Sequence, residues 1–290
     1  MGEVWALALH GGAGPARGKD YTEAEAHMFA LLREGAARLQ NADKALDVVH
    51  DMVQELEASG HHTAGRGASP NREGRWELDA ALMDGPTREA GAVAALRGFK
   101  SPIAAARAVM DRTPHVLIVG KGASRIAAEA GLERVWNPQT YYAPAVTRLT
   151  APGELAHGTV GAVALDTAGR LAAATSTGGL LNKTPGRVGD SPILGAGTWA
   201  DERVAVSCTG QGEYFMRVAA AADVSARVRY GAQSLEHATA GAVEDMGVLG
   251  GDGGLIAVDV LGNIAAPYNS EGMKRGLADW RGRFEVKTFA

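Results

Sequence analysis

Several short segments of this chain carry apolar residues at almost every position rather than at alternate positions. Clear examples are TVGAVALD at residues 159–166, GLIAVDV at 254–260 and PHVLIVG at 114–120. A strand with one face in water alternates apolar and polar residues, so a continuously apolar strand belongs to a sheet that is covered on both faces. This pattern limits the fold to layered arrangements in which other elements cover each sheet, and it predicts a buried strand at each of the three segments.

Helical and strand patterns alternate along the rest of the chain, and some strands are joined by very short turns. Amphipathic spacing predicts helices over residues 22–41, 42–59, 101–112, 122–131, 213–231 and 235–246. Further strands are predicted over 4–10, 76–85, 89–96, 169–179, 203–210 and 263–269. The turn at 166–169 is too short for a βαβ crossover, so its strands form an antiparallel hairpin. We therefore expect an α/β fold of four αββα layers, with two mainly antiparallel central sheets flanked by helices.

Composition narrows the class of protein further. A chain of 290 residues with 46% hydrophobic and 21% charged residues is typical of a globular protein, and we expect a single domain over 1–290. A net charge of −4, with no run of Lys or Arg, argues against nucleic acid or an acidic membrane as a partner. The single cysteine, Cys208, excludes an internal disulfide and is expected to pack inside a strand. The first residues contain no basic leader and no long apolar run, so the expected location is cytoplasmic.

A long connection interrupts the pattern in the middle of the chain. The predicted linker, residues 136–158, contains three prolines and no sustained periodicity, and loops this long are uncommon inside compact domains. The next strand begins abruptly at Thr159, directly after the pair His157 and Gly158. Either a loop simply enters a core strand here, or Thr159 is an N-terminus that cleavage exposes.

Polar residues gather at the strand ends of the second half. They are Thr175, Ser176 and Thr177 in ATSTGG, Arg187 and Asp190 in NKTPGRVGDSP, and Thr209, Gly210 and Gly212 in SCTGQGE. Each segment alone could be a solvated turn. Together they fit a zwitterionic substrate, because Arg binds a carboxylate through paired N–H groups and Asp accepts from an ammonium. A Thr-Gly turn can offer a hydroxyl and a backbone N–H to an oxyanion.

These residues contain no recognisable general base, and neither a Ser-His-Asp pattern nor a GxSxG elbow is readable in the sequence. A threonine at a chain terminus supplies its own base, the α-amine, whose pKa of about 7.7–8.0 leaves roughly 10–20% neutral at pH 7. Attack by the Thr159 hydroxyl on the preceding carbonyl would expose that amine, and Gly158, which has no Cβ, tolerates the strain.

Other motifs fit known sites less well. Gly120-x-Gly122 follows a strand, but Arg125 replaces the third glycine of a dinucleotide fingerprint, so no organic cofactor is predicted. His61 and His62 are adjacent with no nearby acid, and a surface loop is a better interpretation than a metal site.

Motifs along nearly the whole chain resemble those of the plant-type L-asparaginases, also called isoaspartyl peptidases, among the N-terminal-nucleophile hydrolases. They include HGGAG, TAGRGA, ELDAALMDG, GTVGAVALD, ATSTGG, GRVGDSPILGAG, VAVSCTGQGE and GGDGGLIAVD. The resemblance implies the αββα fold, autocleavage into an α subunit (1–158) and a β subunit (159–290), and a homodimer of cleaved protomers.

The resemblance also implies roles for particular residues. Thr159 is the nucleophile, released from Gly158, and Thr177 hydrogen-bonds it. The substrate-binding residues are Arg187 for the α-carboxylate, Asp190 for the α-ammonium, Thr209 and Gly210 as the oxyanion hole, and Gly212 on the same wall. Thr63 stands where relatives usually have Asn, so local hydrogen bonding there should differ.

Members of the family often bind sodium through backbone carbonyls, here within the stretch Leu56, Glu57, Ser59, His62, Ala64 and Arg66. The implied activity is hydrolysis of isoaspartyl dipeptides and L-asparagine, both small zwitterionic substrates, to release L-aspartate. The alternatives are a glycosylasparaginase, a threonine-type endopeptidase, a nucleotide-binding enzyme built on GKGASR, and an uncleaved, inactive or weakly active homologue that serves as a binding or scaffold protein.

Overall fold

The computed structural model describes residues 3–143 and 158–290, so part of the predicted linker, residues 144–157, lies outside the described residues. The strands are β1 (Ala6–Ala13), β2 (Leu78–Asp84), β3 (Ala90–Leu96), β4 (Leu117–Val119), β5 (Val160–Leu165), β6 (Leu171–Thr177), β7 (Thr198–Ala200), β8 (Val204–Gly210), β9 (Gly253–Asp259), β10 (Ile264–Ala265), β11 (Met273–Asp279) and β12 (Phe284–Lys287). The helices are α1 (Thr22–Gln40), α2 (Ala45–Ser59), α3 (Pro102–Arg112), α4 (Gly120–Glu129), α5 (Pro138–Tyr141), α6 (Gly212–Val218), α7 (Ala220–Arg229) and α8 (Leu235–Val248). Within the described ranges, no helix has the length and apolar character needed to cross a membrane.

The strands form two sheets that pack face to face. The larger sheet has eight strands in the order β12-β11-β1-β5-β6-β2-β3-β4, and the smaller has four in the order β10-β9-β8-β7. The pairing of β3 with β4 is parallel. The pairs that carry the site, β1 with β5, β5 with β6 and β8 with β9, are antiparallel.

Three apolar clusters separate four layers. The first lies between α1–α4 and the outer face of the larger sheet and includes Leu32 and Val49. The second lies between the two sheets and includes Val163 and Ile256. The third lies between the smaller sheet and α6–α8 and includes Phe215. The predicted αββα sandwich is therefore confirmed.

Strand β5 shows how a continuously apolar sequence serves two layers. Val160 and Ala162 point into the cluster beneath the helices. Val163 and Leu165 point into the cluster between the sheets. All six residues of β5 are buried, as expected for a strand that is covered on both faces.

The β5–β6 hairpin positions the site. Its turn is closed by a hydrogen bond from the Gly169 N–H to the Asp166 carbonyl, and Val160 lies opposite Ser176. Because the strands are antiparallel, the residue before β5 adjoins the last residue of β6. This register brings Thr159 next to Thr177.

The structure corrects four predictions. The segment at 114–120 is not a buried strand, because β4 lies at the sheet edge with Val119 58% exposed. The predicted helix over 213–231 is two helices, since Ala219 adopts a left-handed conformation with φ of 49°. Strand β1 does not end at His10 but continues through a bulge to Ala13. Strands β7, β11 and β12 were not predicted; β11 carries Lys274 and Arg275, which interrupt its apolar run.

Candidate active site

A polar pocket lies where β5 begins and β6 and β8 end, and the loop after β6 contributes to its wall. It is lined by Gly158, Thr159, Thr177, Gly179, Leu180, Arg187, Gly189, Asp190, Ser191 and Gly210. Six of the residues singled out in the sequence therefore line one cavity: Gly158, Thr159, Thr177, Arg187, Asp190 and Gly210. The antiparallel hairpin and the neighbouring sheet bring them together.

The hydroxyl of Thr159 has a defined orientation. It donates a hydrogen bond to the Thr177 Oγ1 at 3.2 Å, and both residues are buried. The Gly179 N–H donates to the same Thr177 oxygen at 3.0 Å, which fixes the acceptor in place. The oxygen of Thr159 is thus held beside its own peptide bond to Gly158, at the wall of the pocket.

Thr63 packs directly against the residue before the predicted cleavage site. A Cβ at Gly158 would lie 2.3 Å from the Thr63 Oγ1, so a side chain at this position would collide with it. The Thr63 carbonyl accepts a hydrogen bond from the Gly178 N–H at 2.8 Å, which ties this loop to the end of β6. Thr63, at which the resemblance predicts a departure from the family pattern, therefore adjoins the residue before the predicted cleavage site.

Asp190 is a buried carboxylate that is only partly satisfied. Its Oδ2 has no hydrogen-bond partner among the described residues. Burial raises the pKa of Asp190 to about 7, against the opposing attraction of Arg187. An acceptor of this kind, on a pocket wall next to a guanidinium, suits a cationic group that arrives with a ligand.

Arg187 forms a two-pronged ion pair with Glu213. Its Nε and Nη2 donate to the two carboxylate oxygens of Glu213, each at 2.8 Å. The Arg187 side chain is 15% exposed, whereas that of Glu213 is 49% exposed. The guanidinium therefore holds a carboxylate in the geometry that a substrate carboxylate would need. Glu213 was missed as a site residue in the sequence, although it follows Gly212 in the motif SCTGQGE.

Thr209 and Gly212 are not among the residues that line this pocket in the described part of the chain, although both adjoin Gly210 or Asp190, which do. The Thr209 Oγ1 accepts a hydrogen bond from the Ala13 N–H at 3.1 Å, so its own proton can still be donated. A Cβ at Gly212 would lie 2.7 Å from the Asp190 Oδ1, so Gly212 packs against the back of that carboxylate. Gly210, which lies between Thr209 and Gly212 in the sequence, does line the pocket.

Behind Thr159 lies a set of buried polar residues, of which the sequence indicated only Thr175. His10 lies 3.2 Å, through its Nδ1, from the Thr159 carbonyl oxygen, and its Nε2 lies 2.9 Å from the Ser207 Oγ. Ser207 contacts Thr175, which in turn contacts Thr198, both at 2.7 Å between hydroxyl oxygens. His10 belongs to the HGGAG motif, which served only as part of the family resemblance, and Thr198 and Ser207 belong to segments that look like ordinary core strands.

The proposed sodium loop follows α2. Leu56 to Ser59 are the last four residues of this helix, whose carbonyls lack an intrahelical N–H partner and form the negative end of its dipole. The Leu56 carbonyl accepts a hydrogen bond from the Ser59 hydroxyl at 2.8 Å. A Cβ at Gly67 would lie 2.0 Å from the His62 oxygen and 3.0 Å from the Gly60 oxygen, so carbonyls converge on the space beside Gly67. Residues 3–143 and 158–290 hold no cluster of three or more His, Cys, Asp and Glu side chains suited to a metal. The loop fits a cation held by backbone carbonyls.

The interpretation of His61 and His62 as part of a surface loop is wrong for His62. Its side chain is buried, and its Nδ1 donates to the Gly11 carbonyl at 3.0 Å. Burial lowers the pKa of His62 well below its ordinary value, and the nearby Lys274 lowers it further. The loop is buried because it packs under the bulged end of β1.

Comparison with known proteins relates the whole chain to a single family. A family model described as "Asparaginase" matches residues 3–151 and 136–287. An isoaspartyl peptidase of Salmonella typhimurium is 49% identical, with 93% of both chains covered. An isoaspartyl peptidase of Escherichia coli is 45% identical, with 93% of this chain and 91% of the relative covered. A probable isoaspartyl peptidase/L-asparaginase of Arabidopsis thaliana is 36% identical, with 97% of this chain and 98% of the relative covered.

Proposed function

The chain belongs to the asparaginase family, and on that premise we propose that it is an autoprocessing threonine amidohydrolase. Its substrates are isoaspartyl (β-aspartyl) dipeptides and L-asparagine, from which it releases L-aspartate. The names of its relatives, isoaspartyl peptidase and isoaspartyl peptidase/L-asparaginase, support this substrate class. The predicted hydrolase function follows from the same relationship.

The observation that carries the proposal is the arrangement around Thr159. An oriented threonine hydroxyl, a guanidinium and a buried carboxylate with an unpartnered oxygen line one cavity. No separate general base is needed if Thr159 becomes a chain terminus, because its α-amine then lies within the same residue as the nucleophile. The uncleaved binding protein considered above would have no need for an oriented hydroxyl next to Gly158.

Processing begins with the Thr159 hydroxyl. Its oxygen attacks the Gly158 carbonyl carbon, the peptide C–N bond breaks, and the hydroxyl proton moves to the released nitrogen. The product is an ester between Gly158 and the Thr159 side chain. Water hydrolyses this ester, which leaves the Gly158 carboxylate on the α subunit (1–158) and a free amine on Thr159 of the β subunit (159–290).

In turnover, the charged groups of the pocket orient the substrate. Its α-carboxylate takes the place of Glu213 on Arg187, and its α-ammonium donates to Asp190. The Thr159 oxygen then attacks the side-chain carbonyl of the substrate while the α-amine accepts the hydroxyl proton. The Gly210 N–H and the Thr209 hydroxyl stabilise the oxyanion. The amine passes the proton to the leaving group, and water hydrolyses the aspartyl ester to regenerate Thr159.

The proposal includes a sodium ion and an oligomeric state. The carbonyls of the α2 C-terminus and of the loop to Arg66 would hold the ion, which would stiffen the loop that presses Thr63 against Gly158. The working unit is a homodimer of cleaved protomers, an expectation supported by the resemblance to the family.

Substitution of the nucleophile tests the proposal. Thr159→Ala should reduce aspartate release from a β-aspartyl dipeptide and from asparagine by about 10⁴-fold or more, because both attack steps need this hydroxyl. Thr184→Ala, at an exposed threonine of the loop after β6, is the matched control and should keep wild-type activity. A Thr159→Ala variant that releases aspartate at the wild-type rate would remove Thr159 from the mechanism.

A further inference from the structure

A buried chain of hydrogen bonds ends on the backbone of Thr159. Its members are His10 on β1, Ser207 on β8, Thr175 on β6 and Thr198 on β7, all fully buried. We propose that His10 is a positioning residue that holds the carbonyl of Thr159 and thereby fixes the nucleophile in the cleaved protein. This inference rests on the proposed function, in which Thr159 is the nucleophile.

Thr159 needs such a restraint because it lies just outside the sheet. Strand β5 begins at Val160, which pairs with Ser176 of β6, so Thr159 precedes the first paired residue. Cleavage turns Thr159 into a chain end, and chain ends fray unless something ties them down. The His10 Nδ1, at 3.2 Å from the Thr159 carbonyl oxygen, supplies a tie that survives the cut, since this carbonyl stays on the β subunit.

The carbonyl also determines the direction of the hydrogen bonds that link it to Thr175. A carbonyl oxygen only accepts, so the His10 Nδ1 must carry the proton and the Nε2 must accept from Ser207. The Ser207 hydroxyl has a single proton, so Thr175 donates to Ser207. The Thr198 hydroxyl lies within donating distance of both the Thr175 Oγ1, at 2.7 Å, and the Ser191 carbonyl oxygen, at 2.9 Å. From Thr175 onwards, the hydrogen bonds are therefore ordered in one direction, towards Thr159.

His10 stays neutral across the working range of pH. Burial lowers the pKa of His10 to about 3, outweighing the hydrogen bond to Thr159, which raises it. A neutral ring with one fixed tautomer can donate from Nδ1 while Nε2 accepts. The network therefore holds the Thr159 carbonyl in the same way below and above neutrality.

Gly161 has no side chain and so leaves space for the hydrogen bond between His10 and Ser207. His10 lies opposite Gly161 in the pairing of β1 with β5. A Cβ at Gly161 would lie 2.0 Å from the Ser207 Oγ and 2.3 Å from the His10 Nε2. The variant Gly161→Ala therefore disturbs the bond between His10 and Ser207 while every hydrogen-bonding side chain is retained.

A pair of substitutions at His10 separates positioning from simple stabilisation. The side-chain amide nitrogen of Asn can take the place of Nδ1 as a donor, whereas the side-chain amide oxygen of the longer Gln can take the place of Nε2 as an acceptor. His10→Asn therefore keeps the donor to Thr159, and His10→Gln keeps only the contact with Ser207. Both remove the ring, so both are expected to lower the melting temperature by similar amounts.

The experiment measures kcat and KM on a β-aspartyl dipeptide. The value of kcat is calculated per cleaved chain, with the cleaved fraction taken from intact-mass spectrometry. We expect His10→Gln to lower kcat roughly 10- to 100-fold with KM within about twofold, the cost of a misplaced nucleophile. We expect His10→Asn to stay within about threefold of wild type in kcat, and Gly161→Ala to fall between the two. Loss of processing in His10→Gln alone would support the proposal in the same way.

Equal behaviour of the two His10 variants, whether both active or both inactive, would overturn the proposal. A measurement on the wild-type protein guards against variants that fail to fold: ¹⁵N-histidine spectra should show the His10 proton on Nδ1, and a proton on Nε2 would contradict the proposed order. Wild-type protein that neither cleaves itself nor releases aspartate would overturn the proposed function and this inference together. Active wild type with indistinguishable His10 variants would overturn this inference alone.

Discussion

The polar groups on the two sides of Thr159 differ in how far they are hydrogen-bonded within the protein. On the pocket side, Asp190 has an unpartnered buried oxygen and Arg187 is paired with the half-exposed Glu213. On the other side, both ring nitrogens of the buried His10 are engaged, one with the Thr159 carbonyl and one with Ser207. Both sides are polar and largely buried, so polarity alone does not distinguish a binding surface from a support.

The two sides differ in whether their buried polar atoms already have hydrogen-bond partners. Leaving a buried polar atom without a partner costs about 1–3 kcal/mol, and such atoms persist in native proteins mainly where a ligand or another function compensates. The pocket side offers an acceptor and a guanidinium to a zwitterion, whereas the polar groups behind Thr159 are already hydrogen-bonded to one another. Substitutions on the pocket side should therefore weaken substrate binding. Substitutions behind Thr159 should instead misplace the nucleophile.

The largest effect in this comparison is expected from Arg187→Ala. Loss of a paired, charge-assisted hydrogen bond to the substrate carboxylate should raise KM about 100-fold, with a smaller change in kcat. Arg187→Lys should recover part of the loss, because Lys provides the charge without the paired donors. Steady-state kinetics on a β-aspartyl dipeptide measure both values.

Arg283→Ala provides the matched control for that experiment, because Arg283 also pairs with a carboxylate, Glu285, but on the exposed β11–β12 hairpin. It should leave KM unchanged. If Arg187→Ala kept KM within about threefold of wild type, the guanidinium would not be the carboxylate-binding group, and the contrast between the two sides of Thr159 would lose its main support.

A smaller effect is expected on stability from Asp190→Asn. The folded state raises the pKa of Asp190 from 3.8 to about 7, so it binds a proton that the unfolded chain releases between these values. Stability therefore falls as pH rises through this window, and a neutral Asn escapes that loss. Relative to wild type, the variant should gain about 3 °C in melting temperature at pH 8 and little at pH 4, although it binds substrate poorly.

Thermal unfolding at the two pH values measures this gain. Asp111→Asn, at an exposed ion pair with Arg107, is the control and should show no gain at pH 8. A difference between Asp190→Asn and wild type that stays constant from pH 4 to pH 8 would contradict the account of Asp190 as a carboxylate destabilised by burial.

The pocket side could be found from the sequence because its residues belong to short local motifs. Glycine- and proline-rich turns at strand ends mark Arg187 and Asp190, and the abrupt strand start after the linker marks Thr159. The layered fold followed from continuously apolar strands such as β5, in which every residue is buried. Local signals of this kind are present in the residues themselves.

The side behind Thr159 could not be found in that way. His10 and Ser207 are 197 residues apart in sequence and meet only because β1 and β8 lie in facing sheets. Single serines and threonines in apolar strands look like ordinary core positions, and their partners depend on a register that no local pattern reveals. The same limit explains β11, which pairs with β1 despite a charged sequence.

Intact-mass spectrometry of freshly purified protein over time, with N-terminal sequencing of the products, tests the central claim most directly. The account predicts that the full chain is replaced by two fragments, residues 1–158 and 159–290, and that the new N-terminus is Thr159. Aspartate release should rise in step with the 159–290 fragment. A chain that stays whole while it hydrolyses β-aspartyl dipeptides, or that is cut at another bond, would contradict the role of Thr159 as an N-terminal nucleophile.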